Sequence, residues 1–394
     1  MLYVASAIEA DGSSGGATHV SEVACGLGRL GHDVRVISRA NSKSTSTLEC
    51  GVPLRVSLWR KELALLGLRQ VSREMRTFKP DVVMERFYNF AGAGVLAAHR
   101  RRIPTLLEVN APMTDPPGSL KSRLDKVALG AMRRWAVRQA RWSAAIVTPL
   151  ATTVPPEVPR RKIHELPWGA NVERFDPAIR MTQTPELERL ASKLGLKRGM
   201  PVVAFLGSFR AWHGANHFAE AARKLLEAGE EVAFLAIGGG PELVPLKERV
   251  DSWGLEPGRF VFTGIQPHEE IPYLLALADV GVAPFDVAAH APLTTFGFYW
   301  SPLKVFEYMA MALPVVTIDI PPLNDIVRRG CEGELYPPGD IEALAAAIRR
   351  LTNDRVLRTA EGSSARERVT KYYSWQAHCQ ALDALLRHIV KRDA

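Results

Sequence analysis

Residues 202–238, VVAFLGSFRAWHGANHFAEAARKLLEAGEEVAFLAIG, contain two short apolar runs on either side of a segment that reads as a helix over about 215–228. Apolar runs that end at glycine are typical of buried strands. A strand, a helix and a second strand in this order form the βαβ unit of a parallel sheet with helices on its faces. This stretch therefore predicts an α/β fold.

The same alternation extends in both directions along the chain. Before it come the strand-like runs LYVAS, HDVRVIS, DVVMER, TLLEV and AAIVTP, with a helix from about Thr18 to Leu30 after the first run. After it come RFVFTG, DVGVAPF, LPVVTID and GELYPP. Because the pattern occurs twice, we predict two doubly wound domains with a ligand cleft between the carboxyl ends of their sheets. The predicted divisions are a domain over 1–167, a linker over 168–200, a domain over 201–373, and a C-terminal helix within 374–394 that docks on the first domain.

Composition narrows the function classes. The 394 residues are 47% apolar and 23% charged, which excludes wholesale disorder and a polytopic membrane protein. No uninterrupted apolar run is long enough for a spanning helix, and the N-terminal residues do not resemble a secretory leader. The net charge of +8 is uneven, since residues 1–167 carry 25 Lys and Arg against 14 Asp and Glu, a net of +11. An anionic partner is therefore expected at the first domain.

The cysteines and carboxylates favour neither a metal site nor a disulfide scaffold. Cys25, Cys50, Cys331 and Cys379 are far apart and form no CxxC pair. We find no Asp-x-Asp pair and no HExxH motif, so no metal ligand is predicted. The expected location is the reducing cytoplasm, with peripheral contact to the inner face of the membrane as an option. The Ser/Thr-rich patch at 41–47 is expected to be a mobile loop.

A first candidate motif is the glycine-rich segment 12–19, which follows the first strand and opens a helix. Glycines there allow backbone amides to approach an anion at the positive end of the helix. The segment is not GxGxxG, and Ser38 and Arg39 stand where a ribose-binding acid would follow the second strand, so a dinucleotide site is disfavoured. A flexible loop before a capped helix fits the same residues equally well.

Two further motifs lie in the second half. In the turn 207–214, Arg210 and His213 could hold a diphosphate, although the turn alone would suit an ordinary surface position. In 301–316, SPLKVFEYMAMALPVV, a proline at a helix start leaves the amides of Leu303 and Lys304 free for a second phosphate. Glu307, one turn later, could accept hydrogen bonds from a ribose diol, or it could be a solvated residue of an amphipathic helix.

Taken together, these motifs resemble a known family. The segments GSFRAWHG, GGGPELVPLKERV, VFTGIQPHEEIPYLLALADVGVAPF, SPLKVFEYMAMALPVV and ELYPPGDIEALAAAIRRL resemble the nucleotide-sugar domain of family-4 retaining glycosyltransferases with the GT-B fold. GGATHVSEVACGLGRLGHDVRVIS, ERFYNFAGAG, LEVNAP and PWGANVERF resemble that family's acceptor half. The resemblance implies two Rossmann-like domains facing a central cleft. It also implies transfer from a UDP- or GDP-sugar, with no further cofactor, in glycan, glycolipid or polysaccharide biosynthesis.

The resemblance assigns roles to positions in the second half. The family's phosphate-binding Arg and Lys fall at Ser208 and His213, so both depart from the pattern, and we expect Arg210 to supply the guanidinium with His213 assisting it as the catalytic pair. The family's Glu-x7-Glu pair falls at Tyr299 and Glu307. Only the ribose-binding second glutamate is present, which leaves the contact to the transferred sugar open. The remaining donor-binding positions implied are Gly15, Gly16, Leu303 and Lys304.

Acceptor contacts are expected in the first half at His19, Glu108 and Asn110. Asn110 falls where many relatives carry a sugar-facing histidine, and an amide can hydrogen-bond a sugar but cannot act as a base. A turn before Pro112 would explain Asn110 equally well. The stretch 120–141 is basic and amphipathic, so it could meet an anionic bilayer or a polyprenyl-diphosphate acceptor, or simply form a solvated face. Its cations are Lys121, Arg123, Lys126, Arg133, Arg134, Arg138 and Arg141.

The sequence contains no evident carboxylate nucleophile. We therefore expect front-face attack by the acceptor hydroxyl, with the leaving diphosphate stabilised electrostatically.

Other functions fit some of the same observations. The departures at Ser208, His213 and Tyr299 would also suit a non-catalytic donor-binding partner of another transferase. A sugar-nucleotide epimerase of the same architecture remains an alternative, whereas nucleic-acid binding lacks a recognition motif.

Overall fold

The computed structural model describes residues 1–9, 15–39, 46–57, 59–116 and 118–393. Residues 12–14 of the glycine-rich motif, and most of the Ser/Thr-rich patch, lie outside these ranges. The chain forms two compact units. The N-terminal unit comprises Met1–Trp168, Thr295–Ser301 and Trp375–Ala394, and the C-terminal unit comprises Gly169–Thr294 and Pro302–Ser374.

The strands are short and mostly buried, as expected for parallel sheets covered by helices. They are β1 (Leu2–Ala5), β2 (Arg35–Arg39), β3 (Leu54–Ser57), β4 (Val83–Arg86), β5 (Thr105–Glu108), β6 (Ala145–Thr148), β7 (Ile163–Glu165), β8 (Val202–Leu206), β9 (Ala233–Ile237), β10 (Phe260–Gly264), β11 (Val280–Ala283), β12 (Val315–Ile318) and β13 (Gly333–Tyr336).

Helices connect most of these strands. The α-helices are α1 (Gly15–Arg29), α2 (Leu68–Phe78), α3 (Ala93–Arg101), α4 (Leu120–Val127), α5 (Ala131–Trp142), α6 (Ile179–Thr182), α7 (Thr184–Lys193), α8 (Ala215–Glu227), α9 (Leu243–Asp251), α10 (Ile271–Ala276), α11 (Ala291–Phe296), α12 (Leu303–Ala310), α13 (Leu323–Ile326), α14 (Ile341–Asn353), α15 (Arg355–Tyr372) and α16 (Trp375–Asp393). Short 3-10 helices span Lys61–Gly67, Ala151–Thr153, Arg160–Lys162 and Ala211–His213.

The sheet of the N-terminal unit has the order β3-β2-β1-β4-β5-β6-β7, and all its pairings are parallel. One core cluster joins Leu2 and Val4 of β1 to Ala93 and Ala97 of α3. Strand order reverses between β1 and β4, where a crevice opens at the carboxyl ends of the strands. Arg86 is the last residue of β4 and Glu108 is the last residue of β5, so both lie at this edge.

The sheet of the C-terminal unit has the order β10-β9-β8-β11-β12-β13, again entirely parallel. Its order reverses between β8 and β11. The Tyr308 hydroxyl fixes α12 to both strands, because it accepts the Leu206 N–H at 2.6 Å and lies 3.3 Å from the Val282 carbonyl oxygen. A Cβ at Gly281 would lie 2.4 Å from the Tyr308 ring, so only glycine leaves room for this contact.

The predicted linker is not a separate element. Gly169–Lys193 and the residues after them belong to the C-terminal unit, where they form α6 and α7. Arg180 of α6 explains the attachment, since its guanidinium donates to the carbonyl oxygens of Ala276 and Ala278 at 3.1 and 2.7 Å. The predicted C-terminal helix forms as α16 within the N-terminal unit, where His32 and Asp383 make a hydrogen bond of 2.6 Å.

Segment 295–301 differs from the predicted division, since it groups with the N-terminal unit, whereas the sequence predicts it within the domain 201–373. Its attachment is made by hydrogen bonds that a hydrophobic pattern does not reveal. The Thr152 hydroxyl donates to the Phe296 carbonyl oxygen at 2.5 Å, and the Trp168 N–H donates to Ser301 Oγ at 2.9 Å. Tyr299, a predicted donor-binding residue, belongs to this segment and is buried in the N-terminal unit.

Two local expectations are wrong. The basic stretch 120–141 is broken into α4 and α5 at Leu129 and Gly130, which both have positive φ angles. Cys25 and Cys50 form a disulfide, because the crossover after α1 brings their Cα atoms to 5.8 Å. The separation of two cysteines in the sequence does not decide whether they pair, because pairing depends on their distance in the fold. With this disulfide present, the cysteine pattern no longer favours a reducing cytoplasm.

Candidate functional site

The turn at the carboxyl end of β8 packs too tightly for side chains at two of its positions. A Cβ at Gly214 would lie 1.6 Å from the Pro284 carbonyl oxygen, at a φ of 75° that also favours glycine. A Cβ at Gly207 would lie 2.9 Å from Lys304 Nζ and 3.0 Å from His213 Nδ1. The two polar atoms therefore converge on the backbone of the turn.

Lys304 is a buried amine without a hydrogen-bond partner. Its residue is 7% exposed, and Nζ makes no hydrogen bond to any residue that the structure describes. The amine lies over the rings of Phe205 and Phe285, 4.3 and 5.0 Å from their centroids. Burial lowers the Lys304 pKa to about 7. A buried amine without a hydrogen-bond partner is costly, so an arriving anion would relieve an existing penalty.

The other predicted groups of this turn surround the amine. Burial, with lesser contributions from Lys304 and Arg210, lowers the His213 pKa to about 3, so the imidazole is neutral. Ser208 Oγ lies 3.3 Å from His213 Nδ1. The Arg210 guanidinium is exposed, and it lies 5.4 Å from the centroid of the Trp212 ring.

The start of α12 provides backbone donors and a carboxylate. The first bonds of this helix run from Val305 and Phe306 N–H to the Pro302 carbonyl oxygen, which leaves the amides of Leu303 and Lys304 outside the helix's own bonds. Glu307 Oε1 lies 3.4 Å from His268 Nε2. Because Arg174 Nη1 lies 2.9 Å from His268 Nδ1 and can only donate, Nδ1 accepts, and Nε2 carries the hydrogen that faces Glu307.

In the N-terminal unit, the three predicted acceptor residues form one buried network around Glu108, which is 3% exposed. The Tyr3 hydroxyl donates to Glu108 Oε2 at 2.5 Å, and Arg86 Nη1 donates to Oε1 at 2.9 Å. The Asn110 amide nitrogen also donates to Oε1, while its Oδ1 accepts the Trp168 indole N–H at 2.7 Å. Both ends of the Asn110 amide are therefore engaged within the unit.

His19 belongs to the same network as a neutral imidazole. Arg86 Nη1 lies 3.0 Å from His19 Nδ1, so Nδ1 accepts and Nε2 carries the hydrogen. Burial, reinforced by Arg86, lowers the His19 pKa well below its usual value. His378 Nδ1 donates to the Pro167 carbonyl oxygen at 2.8 Å, which makes its Nε2 an acceptor. Neither Nε2 has a hydrogen-bond partner in the part of the chain that the structure describes.

Comparisons with known proteins decide the family. Residues 13–174 match the model described as Glycosyltransferase Family 4, and residues 200–354 match the model for glycosyl transferases group 1. The chain is a family-4 glycosyltransferase. The 2-deoxystreptamine glucosyltransferase of Streptomyces kanamyceticus is 29% identical over 280 residues, which cover 70% of this chain and 68% of that protein. The alpha-D-kanosaminyltransferase of the same organism is 26% identical over 296 residues, which cover 73% and 71%.

Solved structures agree with this assignment at the level of the fold. A glycosyltransferase from Rickettsia africae superposes with a TM-score of 0.78 at 18% identity, covering 99% of this chain and 98% of the other. Anabaena HepE in complex with UDP gives a TM-score of 0.74 at 17% identity, covering 98% and 99%. The predicted GT-B architecture of two Rossmann-like domains is confirmed. In the described residues, none of the helices is both long and apolar enough to cross a membrane.

Several residues of this glycosyltransferase were not singled out from the sequence. Arg86 and Trp168 complete the hydrogen-bond network around Glu108, the His378 ring lies 5.6 Å from the His19 ring, and His268 faces Glu307. Arg86 ends the strand run DVVMER, and His268 follows the run RFVFTG, so both occur at the carboxyl edge, where ligands bind in such sheets. Position in a βαβ unit could therefore have identified these two. Within the described ranges, no cluster of three His, Cys, Asp or Glu residues could hold a metal ion.

We predict that Glu108→Gln destabilises the protein by about 3–5 kcal/mol, because it leaves the buried Arg86 charge without its counterion. Chemical denaturation at pH 7 measures the loss. Glu157→Gln is the matched control, since Glu157 pairs with Arg133 on the exposed surface, where such a pair contributes at most about 1 kcal/mol. Equal losses in the two variants would contradict the central role of Glu108.

Proposed function

We propose that this glycosyltransferase transfers a sugar from a nucleoside diphosphate sugar to an acceptor hydroxyl with retention of the anomeric configuration and without a metal ion. The observation that carries the proposal is the buried Lys304 amine, which faces the turn after β8 without a partner. The donor diphosphate would be its counterion. UDP is the favoured nucleotide, because the names of similar proteins include complexes with UDP and UDP-glucose and a UDP-Gal transferase.

Different residues of the proposed donor site would bind different parts of the nucleoside diphosphate sugar. Lys304 Nζ and the amides of Leu303 and Lys304 suit the phosphate oxygens, as charged and backbone donors do in other phosphate sites. A neutral His213 can donate one hydrogen bond to the same group. Arg210 is exposed, and its guanidinium can reach the leaving diphosphate from the solvent side. Glu307, oriented by His268, would accept the ribose hydroxyls.

Catalysis in this arrangement is electrostatic. Lys304, Arg210 and the free amides of α12 would stabilise the charge that develops on the leaving diphosphate, which is the largest contribution in many transferases. Glu307 is the carboxylate closest in sequence to Lys304 and the α12 amides, and its Oε1 faces His268 Nε2. We therefore assign no carboxylate as the nucleophile. The acceptor hydroxyl would therefore attack from the face of the departing phosphate, which retains the configuration.

The acceptor is proposed to carry an anionic group and to be lipid-linked. One similar Escherichia coli protein acts on a diphosphoundecaprenol-linked sugar. Here the tip between α4 and α5 exposes Val127 and Leu129, at 83% and 80% of their surface. Exposed cations flank them on both helices, and this combination is typical of peripheral contact with an anionic bilayer. These cations are Arg123, Lys126, Arg133, Arg134, Arg138 and Arg141.

Lys304→Met tests donor binding. We expect at least a tenfold weaker affinity for UDP by calorimetry, because the amine that neutralises the diphosphate is lost. Burial lowers the folded Lys304 pKa to about 7, so between pH 7 and pH 10 this side chain binds more protons in the unfolded chain than in the folded chain. The free energy of unfolding of the wild type, measured relative to that of Lys304→Met, should therefore rise with pH over this range.

Lys197→Met is the control, because Lys197 is an exposed partner of Glu256 at 2.8 Å. It should leave both UDP affinity and the pH dependence unchanged. Wild-type affinity in Lys304→Met would refute the proposed donor site.

Retention and metal independence are tested with UDP-glucose and water as the acceptor. Proton NMR should show the α anomer of glucose as the first product, because attack occurs on the face of the leaving group. The rate in EDTA should equal the rate with added magnesium. A first product of β configuration, or loss of activity in EDTA, would contradict the mechanism.

Membrane contact is tested by cosedimentation with vesicles that contain anionic lipid. The bound fraction should fall several-fold at high salt, and several-fold in the double variant Val127→Ser, Leu129→Asn at low salt. Met181→Ser is the control, since Met181 is equally exposed at 80% in the C-terminal unit. Absence of wild-type binding would leave an acceptor in solution as the better proposal.

A further inference from the structure

Arg366 of α15 joins two segments of the C-terminal unit that lead to Glu307. Its Nη1 donates to the carbonyl oxygens of Phe175 and Ala310, both at 2.7 Å, and its Nη2 donates to the Val172 carbonyl oxygen at 2.9 Å. Ala310 is the last residue of α12, three positions after Glu307. One guanidinium therefore holds the helix that carries Glu307 against segment 172–175.

Segment 172–175 in turn contacts His268, the residue that faces Glu307. Arg174 Nη1 lies 2.9 Å from His268 Nδ1, and the Phe175 ring lies 5.6 Å from the imidazole, centroid to centroid, in an edge-on arrangement. His268 itself is exposed, whereas Phe175 is buried at 1% of its surface. The position of the imidazole therefore depends on where this segment lies.

The helix that carries Arg366 lies close to both segments. A Cβ at Gly362, one turn before Arg366, would lie 2.3 Å from the Ala312 carbonyl oxygen just after α12, so a side chain there would prevent this approach. Near the other end of α15, the Ala170 N–H donates to the Tyr373 carbonyl oxygen at 2.8 Å. Arg366 lies between these two contacts along the helix.

The pattern of acceptors suits arginine in particular. Three backbone carbonyl oxygens from two separate segments accept from one side chain. A planar guanidinium donates several hydrogen bonds in fixed directions, whereas the ammonium of lysine is a flexible point charge. The bonds of Arg366 thus determine the distance between segment 172–175 and the end of α12.

We propose that Arg366 is a positioning residue for recognition of the donor ribose, because it holds segment 172–175 and α12 where His268 faces Glu307. The inference rests on the proposed function, in which Glu307 accepts the ribose hydroxyls. A site that hydrogen-bonds a hydroxyl rejects the analogue that lacks it. Arg366 should therefore determine the preference for a ribonucleotide over a deoxyribonucleotide.

This preference is the ratio of the dissociation constants of 2′-deoxyuridine diphosphate and UDP for the full chain, measured by calorimetry. We expect the wild type to prefer UDP at least tenfold. In Arg366→Met the preference should fall several-fold, because UDP binds more weakly while the affinity for the deoxynucleotide changes little. A general loss of structure would weaken both ligands together and leave the ratio unchanged.

Arg368→Met is the matched control. Arg368 lies on the same helix and also donates to two backbone carbonyl oxygens, those of Ile326 and Asp325 at 3.0 and 2.7 Å, but these belong to α13. This variant should keep the wild-type preference. Arg366→Lys, which keeps the charge and part of the donors, should give an intermediate value.

Arg174→Met tests the same connection without touching Arg366. Arg174 is exposed, so its loss leaves the core intact even where Arg366→Met fails to fold. We expect the preference for UDP to fall in this variant as well, because His268 loses the contact at Nδ1. Wild-type preference in Arg174→Met and in the Arg366 variants that fold would overturn the inference.

Glu307→Met separates this result from the proposed function. If Glu307→Met lowers the preference for UDP while the Arg366 and Arg174 variants keep it, the assignment of Glu307 to the ribose stands and the positioning role is refuted. If the preference is the same in Glu307→Met as in the wild type, the ribose assignment itself fails, and the role of Arg366 fails with it.

Discussion

The contact between Glu108 and Arg86 organises the N-terminal unit at the carboxyl edge of its sheet. A buried carboxylate is tolerated because three side chains donate to it, and one of them carries the compensating charge. The contributing groups come from β1, β4, β5 and Asn110, the second residue after β5. The orientation of Arg86, the tautomer of His19 and the amide of Asn110 all follow from the position of this carboxylate.

In the C-terminal unit, the buried amine of Lys304 lacks the hydrogen-bond partners that Glu108 has in the N-terminal unit. Lys304 Nζ is surrounded by two aromatic rings and has no carboxylate within hydrogen-bond reach among the described residues. Its position is nevertheless fixed, because Tyr308 one turn later bonds to β8 and lies against Gly281. A charge with its partners in place stabilises a structure, whereas a fixed charge without them is typical of a site that awaits a ligand.

The sequence predicted the larger features because these depend on local pattern. Strand and helix runs alternate, and the predicted helix over about 215–228 forms as Ala215–Glu227. What it missed depends on distant contacts. Segment 295–301 joins the N-terminal unit through two hydrogen bonds to residues more than 130 positions away. The Cys25–Cys50 pairing and the convergence of side chains on Arg86 likewise arise only once the fold has brought residues that are distant in sequence together.

At Ser208 and His213 the positive charges of the family pattern are missing, and Lys304 supplies a positive charge from a different element. The resemblance places an arginine and a lysine at these positions, yet here one is a hydroxyl and the other a neutral imidazole. Gly207 is the residue just before Ser208. Lys304 Nζ lies 2.9 Å from the position that a Cβ at Gly207 would occupy. The cation thus reaches the same turn from the start of α12 rather than from the turn itself. A lysine in the turn as well would place two like charges in one desolvated pocket, so the neutral His213 and the charged form of Lys304 are physically consistent with each other.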